Sequence, residues 1–168
     1  MLRKGISLLL GLACLLCAAE SAAVWLDVPF VKQEKGGCGA ASISMVMQYW
    51  GREDAAAGGI QKALYNRRAG GILASDMQRY LDGHGFRTFT FEGGWQDLET
   101  HLSKGRPLIV CLKEGIARHY VVVAGLNPRE NVVRLNDPAQ RKLTKLDRGE
   151  FEKAWTAGGN WTLLALPE

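Results

Sequence analysis

Apolar residues recur along this chain with two periods, one typical of helices and one typical of strands. A helical spacing that starts at Cys38 predicts a helix with one apolar face, formed by Ile43, Val46, Met47 and Trp50. Residues 86–91 alternate between apolar and polar, which predicts a strand. Glycine and proline stops separate the other predicted elements. The other predicted helices span residues 60–66, 95–103 and 148–155, and one more runs from Ala74 or Ser75 to Gly83 or Gly85. The other predicted strands span residues 107–112, 119–126, 131–137, 142–146 and 161–166.

A turn-like sequence at residues 127–130 joins two of the predicted strands. Folded as an antiparallel hairpin about Pro128 and Arg129, these strands place His119 opposite Asp137, within one residue of register. The hairpin therefore predicts that an imidazole and a carboxylate meet at the same open end of the sheet.

Cys38 follows two glycines and begins the first predicted helix. A thiol at a helix N-terminus lies in the positive field of unpaired backbone N–H groups, which favours the thiolate. Gln33, five residues earlier, can place a neutral amide donor beside the sulfur. The pair predicts a nucleophile with half of an oxyanion hole. The alternative is that Cys38 only packs in the core, as most cysteines do.

A catalytic cysteine needs a base, and the base needs a group that orients it. His119 heads one apolar strand and Asp137 ends the next, so these two residues are the candidates. Taken singly, a histidine at a strand start is often solvated and an aspartate before proline often marks a turn. The combination with Cys38 favours a catalytic triad.

Several motifs occur together and in a fixed order along the chain. They are Gln33, Gly37-Cys38-Gly39-Ala40-Ala41, Gly70-Gly71-Ile72, Arg106-Pro107, His119-Tyr-Val-Val-Val-Ala-Gly and Asn136-Asp137-Pro138. Over roughly residues 27 to 165, this set resembles the C39 family of papain-like cysteine peptidases. The resemblance implies an α+β papain-like fold with an N-terminal nucleophile helix packed on an antiparallel β-sheet. It also implies Cys38 as nucleophile, His119 as base, Asp137 as orienter and Gln33 as oxyanion donor.

The sequence departs from the family pattern in two places. Four residues separate Gln33 from Cys38, one fewer than in many members fused to peptide-exporting transporters. Ala40 stands where many stand-alone relatives have proline. The expectation is a stand-alone, exported member that acts on a peptide or protein substrate and cooperates with a membrane-associated export system. Whether a leader peptide ending in Gly-Gly is recognised stays open.

The first 23 residues resemble a signal peptide. Arg3 and Lys4 supply positive charge, the apolar run 6–17 is too short to span a membrane, and small residues precede Val24. Cleavage there leaves a single domain at 24–168, with a periplasmic or extracellular location. Cleavage before Ala22 and an uncleaved membrane anchor are the alternatives.

Composition argues against nucleic acid as a partner. Without Arg3, Lys4 and Glu20, the 21 basic and 17 acidic residues become 19 and 16, which is a net charge of +3. The charges of both signs are interspersed, and no basic run is interleaved with aromatic residues.

Two cysteines remain in the predicted domain. Cys111 ends a continuous apolar run and is expected to be a packing residue in a buried strand, which leaves Cys38 as a free thiol. A disulfide between them is the alternative in an exported protein. The cysteines and histidines do not have the spacing of a zinc site, and no cofactor is expected.

The leading hypothesis is peptide-bond hydrolysis through a thioester on Cys38. An acyl or amide transferase would use the same site with an amine in place of water. The alternative that is not an enzyme is a catalytically inert exported binding module, with Cys38 bonded to Cys111.

Overall fold

An antiparallel sheet forms the centre of the molecule. The structure is a computed structural model that describes residues 22–52 and 54–168, so positions 1–21 of the predicted signal peptide lie outside the described residues. The helices are α1 (Cys38–Tyr49), α2 (Ala57–Leu64), α3 (Ala74–Asp82), α4 (Trp95–Ser103) and α5 (Arg148–Ala157). The strands are β1 (Val24–Trp25), β2 (Phe86–Glu92), β3 (Leu108–Glu114), β4 (Ala117–Asn127), β5 (Val132–Asn136), β6 (Thr144–Asp147) and β7 (Trp161–Pro167).

The strands of the described chain follow the order β2-β7-β3-β4-β5-β6, and β1 pairs with β4 outside this path. Every neighbouring pair is antiparallel. The last strand, β7, therefore lies between β2 and β3. The predicted α+β class, with the nucleophile helix on an antiparallel sheet, is confirmed.

Two apolar clusters fill the two faces of this sheet. The first contains residues of α1, α2 and α3, and the second contains residues of α4 and α5. The predicted apolar face of α1 is buried at Ile43, Val46 and Met47, and the other residues from Gly39 to Met47 are buried as well. Small side chains at Ala40 and Ala41 let the sheet and the neighbouring helices enclose α1 on all sides. Trp50, placed on the predicted face, is only half-buried beyond the end of the helix.

The predicted register of the β4–β5 hairpin is wrong. Val122 lies opposite Asn136, so continuing the ladder places Val121, rather than His119, opposite Asp137. The difference begins at the turn, because Asn127 pairs with Val132 and the hairpin is centred one residue later than predicted; the β-bulge between Val123 and Gly125 recovers one residue of the shift. His119 and Asp137 become diagonal neighbours on one face of the sheet, where long side chains still reach each other.

The close approach of β1 explains the glycine at this bulge. A Cβ on Gly125 would lie 2.4 Å from Trp25 Cε3 and 2.5 Å from the carbonyl oxygen of Val24. Any larger residue would force β1 away from β4. The bulge thus lets the N-terminal strand lie flat against the strand that carries His119.

Element boundaries differ from the predicted ones mainly at glycines. Gly58 and Gly59 lie in the first turn of α2 rather than before it. Strands β3 and β4 continue beyond their apolar residues and are joined by a two-residue turn, Gly115–Ile116. Over residues 22–52 and 54–168, no helix combines the length and hydrophobicity required to cross a membrane.

Candidate active site

Cys38 is the first residue of α1, and glycines shape the backbone that leads to it. Gly36 has a φ of +69°, in the left-handed region that favours glycine. A Cβ on Gly37 would lie 2.4 Å from Gln61 Oε1, and one on Gly36 would lie 2.9 Å from the carbonyl oxygen of Gly70. Glycine at both positions therefore lets the start of α1 lie close to α2 and to residues 70–71. Cys38 itself stays partly accessible.

His119 lies between Cys38 and Asp137. Its Nε2 is 2.7 Å from Asp137 Oδ1, and the ring is near enough to Cys38 for each group to shift the pKa of the other. Because Nε2 is engaged by the carboxylate, Nδ1 is the ring nitrogen left to face the sulfur. The His119 side chain keeps 27% of its exposure, whereas that of Asp137 keeps 9%. The structure therefore brings three of the four predicted site residues next to one another.

The Asp137 carboxylate has two further donors that hold it in place. The backbone N–H of Ala139 donates to Oδ1 at 2.9 Å, and Gln140 Nε2 donates to Oδ2 at 2.8 Å. Sequence reasoning missed Gln140. The available signal was its position three residues after an aspartate, within a turn that begins with Pro138.

A buried asparagine connects this turn to the segment that precedes Cys38. Asn136 is fully buried, and its Nδ2 donates to the carbonyl oxygen of Val28 at 3.0 Å while its Oδ1 accepts from the Leu143 N–H at 3.0 Å. The backbone N–H of Gln33 donates to the carbonyl oxygen of Pro138 at 2.9 Å. The segments that carry Gln33 and Asp137 are therefore held side by side. The motif around Asn136 was noticed in the sequence, but this connecting role was not.

Gln33, the fourth predicted residue, lines the same cleft as Cys38 and His119. Its Oε1 is buried and has no hydrogen-bond partner within the described part of the chain. The Gln33 side-chain oxygen is thus not engaged in an intramolecular hydrogen bond with the described residues. A neutral amide beside the start of α1 is suited to interact with a polarised oxygen bound there.

Hydrogen bonds and charge favour an ionised Cys38–His119 pair. Burial favours the neutral thiol, but the hydrogen bond and charge of His119, with nearby backbone N–H groups, hold the pKa of Cys38 below its ordinary value. Burial opposes the imidazolium, but Asp137 and Cys38 raise the pKa of His119 to about 9. Burial also opposes the Asp137 carboxylate, yet its donors keep its pKa below the ordinary value. The thiolate–imidazolium pair is favoured between the lowered pKa of Cys38 and about pH 9.

An open cleft of about 690 Å³ gives access to this pair. One wall consists of residues 69–75, which include Gly70 and Gly71. A backbone bridge between Asn66 and Gly71 closes the turn that leads into this wall. The Asn66 side chain also accepts hydrogen bonds from the N–H groups of Arg68 and Ala69, each at 3.0 Å. A pre-formed groove lined by a partly accessible thiol has room for an extended ligand.

Cys111 lies apart from the cleft chemistry. It pairs with Tyr120 across β3 and β4, is 3% exposed, and burial raises the pKa of its thiol. Cys38 and Cys111 are both free thiols in this structure. Across the described ranges 22–52 and 54–168, no group of three or more His, Cys, Asp and Glu side chains is arranged to hold a metal ion.

Comparison with known proteins identifies relatives for most of the chain. The model of the Peptidase_C39 like family matches residues 25–162. The lactococcin-G-processing and transport ATP-binding protein LagD of Lactococcus lactis subsp. lactis is 30% identical over 131 residues. This alignment covers 74% of the chain but only 17% of that much longer protein.

Solved structures show the same fold. A double glycine motif protease from an AMS/PCAT transporter, in complex with its leader peptide, aligns with a TM-score of 0.68 and 22% identity over 87% of this chain and 98% of its own. A C39-like peptidase from Bacillus anthracis aligns with a TM-score of 0.68 and 18% identity over the same shares. The papain-like peptidase fold implied by the sequence motifs is confirmed by these likenesses.

Proposed function

Because the chain belongs to the Peptidase_C39 like family, we propose that it is a cysteine peptidase in which Cys38, His119 and Asp137 form the catalytic triad. The observation that carries the proposal is that His119, held by Asp137 at 2.7 Å, lines the same open cleft as the Cys38 thiol. A thiol that served only packing would need neither an oriented imidazole nor access to a groove.

The proposed reaction begins with attack of the Cys38 thiolate on a peptide carbonyl carbon. The oxyanion is stabilised by the Cys38 backbone N–H at the start of α1 and by the Gln33 side-chain amide. Protonated His119 then gives its proton to the leaving amine, and the C–N bond breaks to leave a thioester. Neutral His119 next removes a proton from water, whose oxygen attacks the thioester and releases the acid and the Cys38 thiolate. No metal or organic cofactor enters these steps.

The substrate class follows from the cleft and the relatives. Glycines and alanines in the cleft wall, including Ala69, Gly70 and Gly71, leave room for an extended peptide backbone. One relative is named for processing lactococcin G, and one solved neighbour is a double glycine motif protease. We therefore propose a peptide substrate, and a Gly-Gly sequence before the scissile bond is the first probe. The signal-like segment 1–23 supports an exported location and a partner in peptide export.

The direct test is digestion of a defined peptide pool by the reduced protein. The pool includes peptides with Gly-Gly before the candidate bond, and mass spectrometry identifies every new terminus. New carboxyl and amino termini at a common site support the proposal. Adding a primary amine separates hydrolysis from amide exchange, because exchange gives an amide in place of the free acid. No new termini under reducing conditions would overturn the peptidase assignment.

Replacing Gln33 with alanine tests the proposed oxyanion donor. Loss of one such donor lowers kcat by about 10²–10³-fold, with little change in KM, because the interaction forms only in the transition state. The rate at which iodoacetamide alkylates Cys38 should stay unchanged, since that reaction forms no oxyanion. Gln96→Ala, at an exposed position of α4, is the matched control. A normal kcat in Gln33→Ala would contradict the assigned role.

The pH dependence tests the charge state of the pair. Hydrolysis should decline as the pH rises through about 9, because His119 then loses the proton that the leaving amine requires. It should also decline as the pH falls through the lowered pKa of Cys38, because the thiolate is protonated. Asp137→Asn should move the alkaline decline to lower pH, since it removes the carboxylate that raises the pKa of His119. An alkaline limb that stays in place would contradict this origin of the shift.

A further inference from the structure

A second cavity lies beside the His119–Asp137 pair and is used by none of the steps above. Its volume is about 280 Å³, and we name it the leaving-side pocket. Its apolar lining consists of Leu112, Ala117, Leu135, Ala139 and Leu146. Pockets for drug-sized ligands have volumes of about 300–1,000 Å³, so this one suits a single side chain rather than a whole cofactor.

The sheet explains why the pocket adjoins the catalytic base. Leu112 lies directly opposite His119 across β3 and β4, so the two side chains share one face. Ala117 lies two residues before His119 on the same strand, and therefore on the same face. Leu112 and Leu135 belong to the second apolar cluster, and the leaving-side pocket is the open end of that cluster.

His119 borders both the catalytic cleft and the leaving-side pocket. In the proposed reaction the acyl carbonyl is held at Cys38 and Gln33, whereas the leaving amine must come within hydrogen-bond reach of His119. The peptide that follows the scissile bond therefore departs over the imidazole. The next cavity beyond the imidazole is the leaving-side pocket.

The charge of the pocket restricts what it can bind. The charged side chains among its lining residues are His119 and Asp137, which neutralise each other. Both oxygens of the Asp137 carboxylate already accept hydrogen bonds. A charged side chain would lose its hydration here without gaining a partner, whereas an aliphatic one would cover Leu112, Leu135 and Leu146.

We propose that the leaving-side pocket binds the aliphatic side chain of the first or second residue after the scissile bond. This inference rests on the proposed peptidase function and adds a specificity for the leaving half of the substrate. It assigns no part of the acyl half, which lies on the Cys38 side of the imidazole.

The test uses matched substrates built on a cleavage site found in the peptide pool. One internally quenched peptide carries leucine at the first two positions after the bond, and a second carries aspartate there. The methyl ester of the same acyl half has a leaving group too small to reach the pocket. The protein should hydrolyse the leucine peptide with a kcat/KM at least about 10-fold above that of the aspartate peptide. Equal rates for the two peptides would overturn the proposal without the use of any variant.

Ala117→Trp fills the pocket from an exposed position and tests its location. This variant should lose about 10-fold in kcat/KM on the leucine peptide and keep wild-type hydrolysis of the methyl ester. Thr144→Trp, which enters the pocket from strand β6, should do the same. Ala157→Trp, at an exposed alanine that lines a different pocket, should leave both rates unchanged.

The outcomes separate the two levels of the proposal. If neither Ala117→Trp nor Thr144→Trp lowers the leucine preference while the methyl ester is still hydrolysed, the pocket is not the leaving-side site. If the wild-type protein hydrolyses neither peptides nor the ester, the peptidase function itself fails.

Discussion

Replacing Cys38 with alanine is expected to abolish peptide hydrolysis and leave the protein folded. The thiolate is the group that forms the thioester, and removing a catalytic nucleophile of this kind costs on the order of 10⁶-fold in kcat. Cys38 is only partly buried at the first position of α1, so the core beneath it stays filled. Kinetics with the pool-derived peptide measure the loss, and circular dichroism with thermal unfolding measures the fold.

Cys111→Ala is the matched control for this variant. Cys111 is buried in β3 and takes no part in the proposed reaction, so its loss should lower stability slightly and leave turnover in place. Hydrolysis that persists in Cys38→Ala, at a rate close to wild type, would remove the nucleophile from the mechanism. Loss of activity in Cys111→Ala alone would point to a different sulfur.

Replacing His119 with alanine should have a comparable effect for two separate reasons. The leaving amine loses its proton donor, and Cys38 loses the hydrogen bond and charge that keep its pKa low. With those contributions gone, burial favours the neutral thiol. Turnover should therefore fall by on the order of 10⁴-fold or more, and the alkylation of Cys38 by iodoacetamide at neutral pH should slow as well.

Alkylation followed by peptide mapping distinguishes a reactive pair from a merely structural contact. His84→Ala removes an exposed histidine that stacks on Tyr80 and should change neither turnover nor alkylation. If Cys38 in His119→Ala reacts as fast as in the wild type, the imidazole does not ionise the thiol. The triad would then need another base.

The individual site residues could be predicted because each has a local signal. Cys38 follows Gly36-Gly37 at the start of a helical pattern, and Asp137 is followed by a proline that ends a strand pattern. Helix α4 was predicted with its observed bounds, because Gly94 precedes it and Gly105 follows its last turn. Such signals depend on a few neighbouring residues and survive without any knowledge of the tertiary fold.

The features that were missed depend on contacts between distant segments. The burial of α1 on every side from Gly39 to Met47 requires the sheet and the neighbouring helices, and neither can be inferred from the α1 sequence alone. The hairpin register depends on where the turn is centred and on the bulge near Gly125, where Trp25 approaches from a segment about one hundred residues earlier in the chain. A pattern with period two fixes which residues share a face, but does not count extra residues in a bulge.

The supporting residues were missed for a related reason. Asn136 and Gln140 are polar residues near a turn, and in the sequence they look like ordinary loop formers. Their importance comes from specific partners: the carbonyl oxygen of Val28 for Asn136 and the carboxylate of Asp137 for Gln140. The hydrogen bond of Asn136 to Val28 spans 108 residues and leaves no local pattern. The bond of Gln140 to Asp137 is local, but its sequence does not differ from that of an ordinary turn.

The position of β7 sets the order in which a newly made chain can mature. In the described sheet β2 pairs only with β7, and β7 also pairs with β3 on its other side. A polypeptide that emerges N-terminus first carries its thiol early, but the two parts of the sheet stay unjoined until residues 161–167 arrive. A fragment that ends before residue 161 would therefore carry the thiol without a joined sheet beside it, because only β7 links β2 to the strands that carry His119.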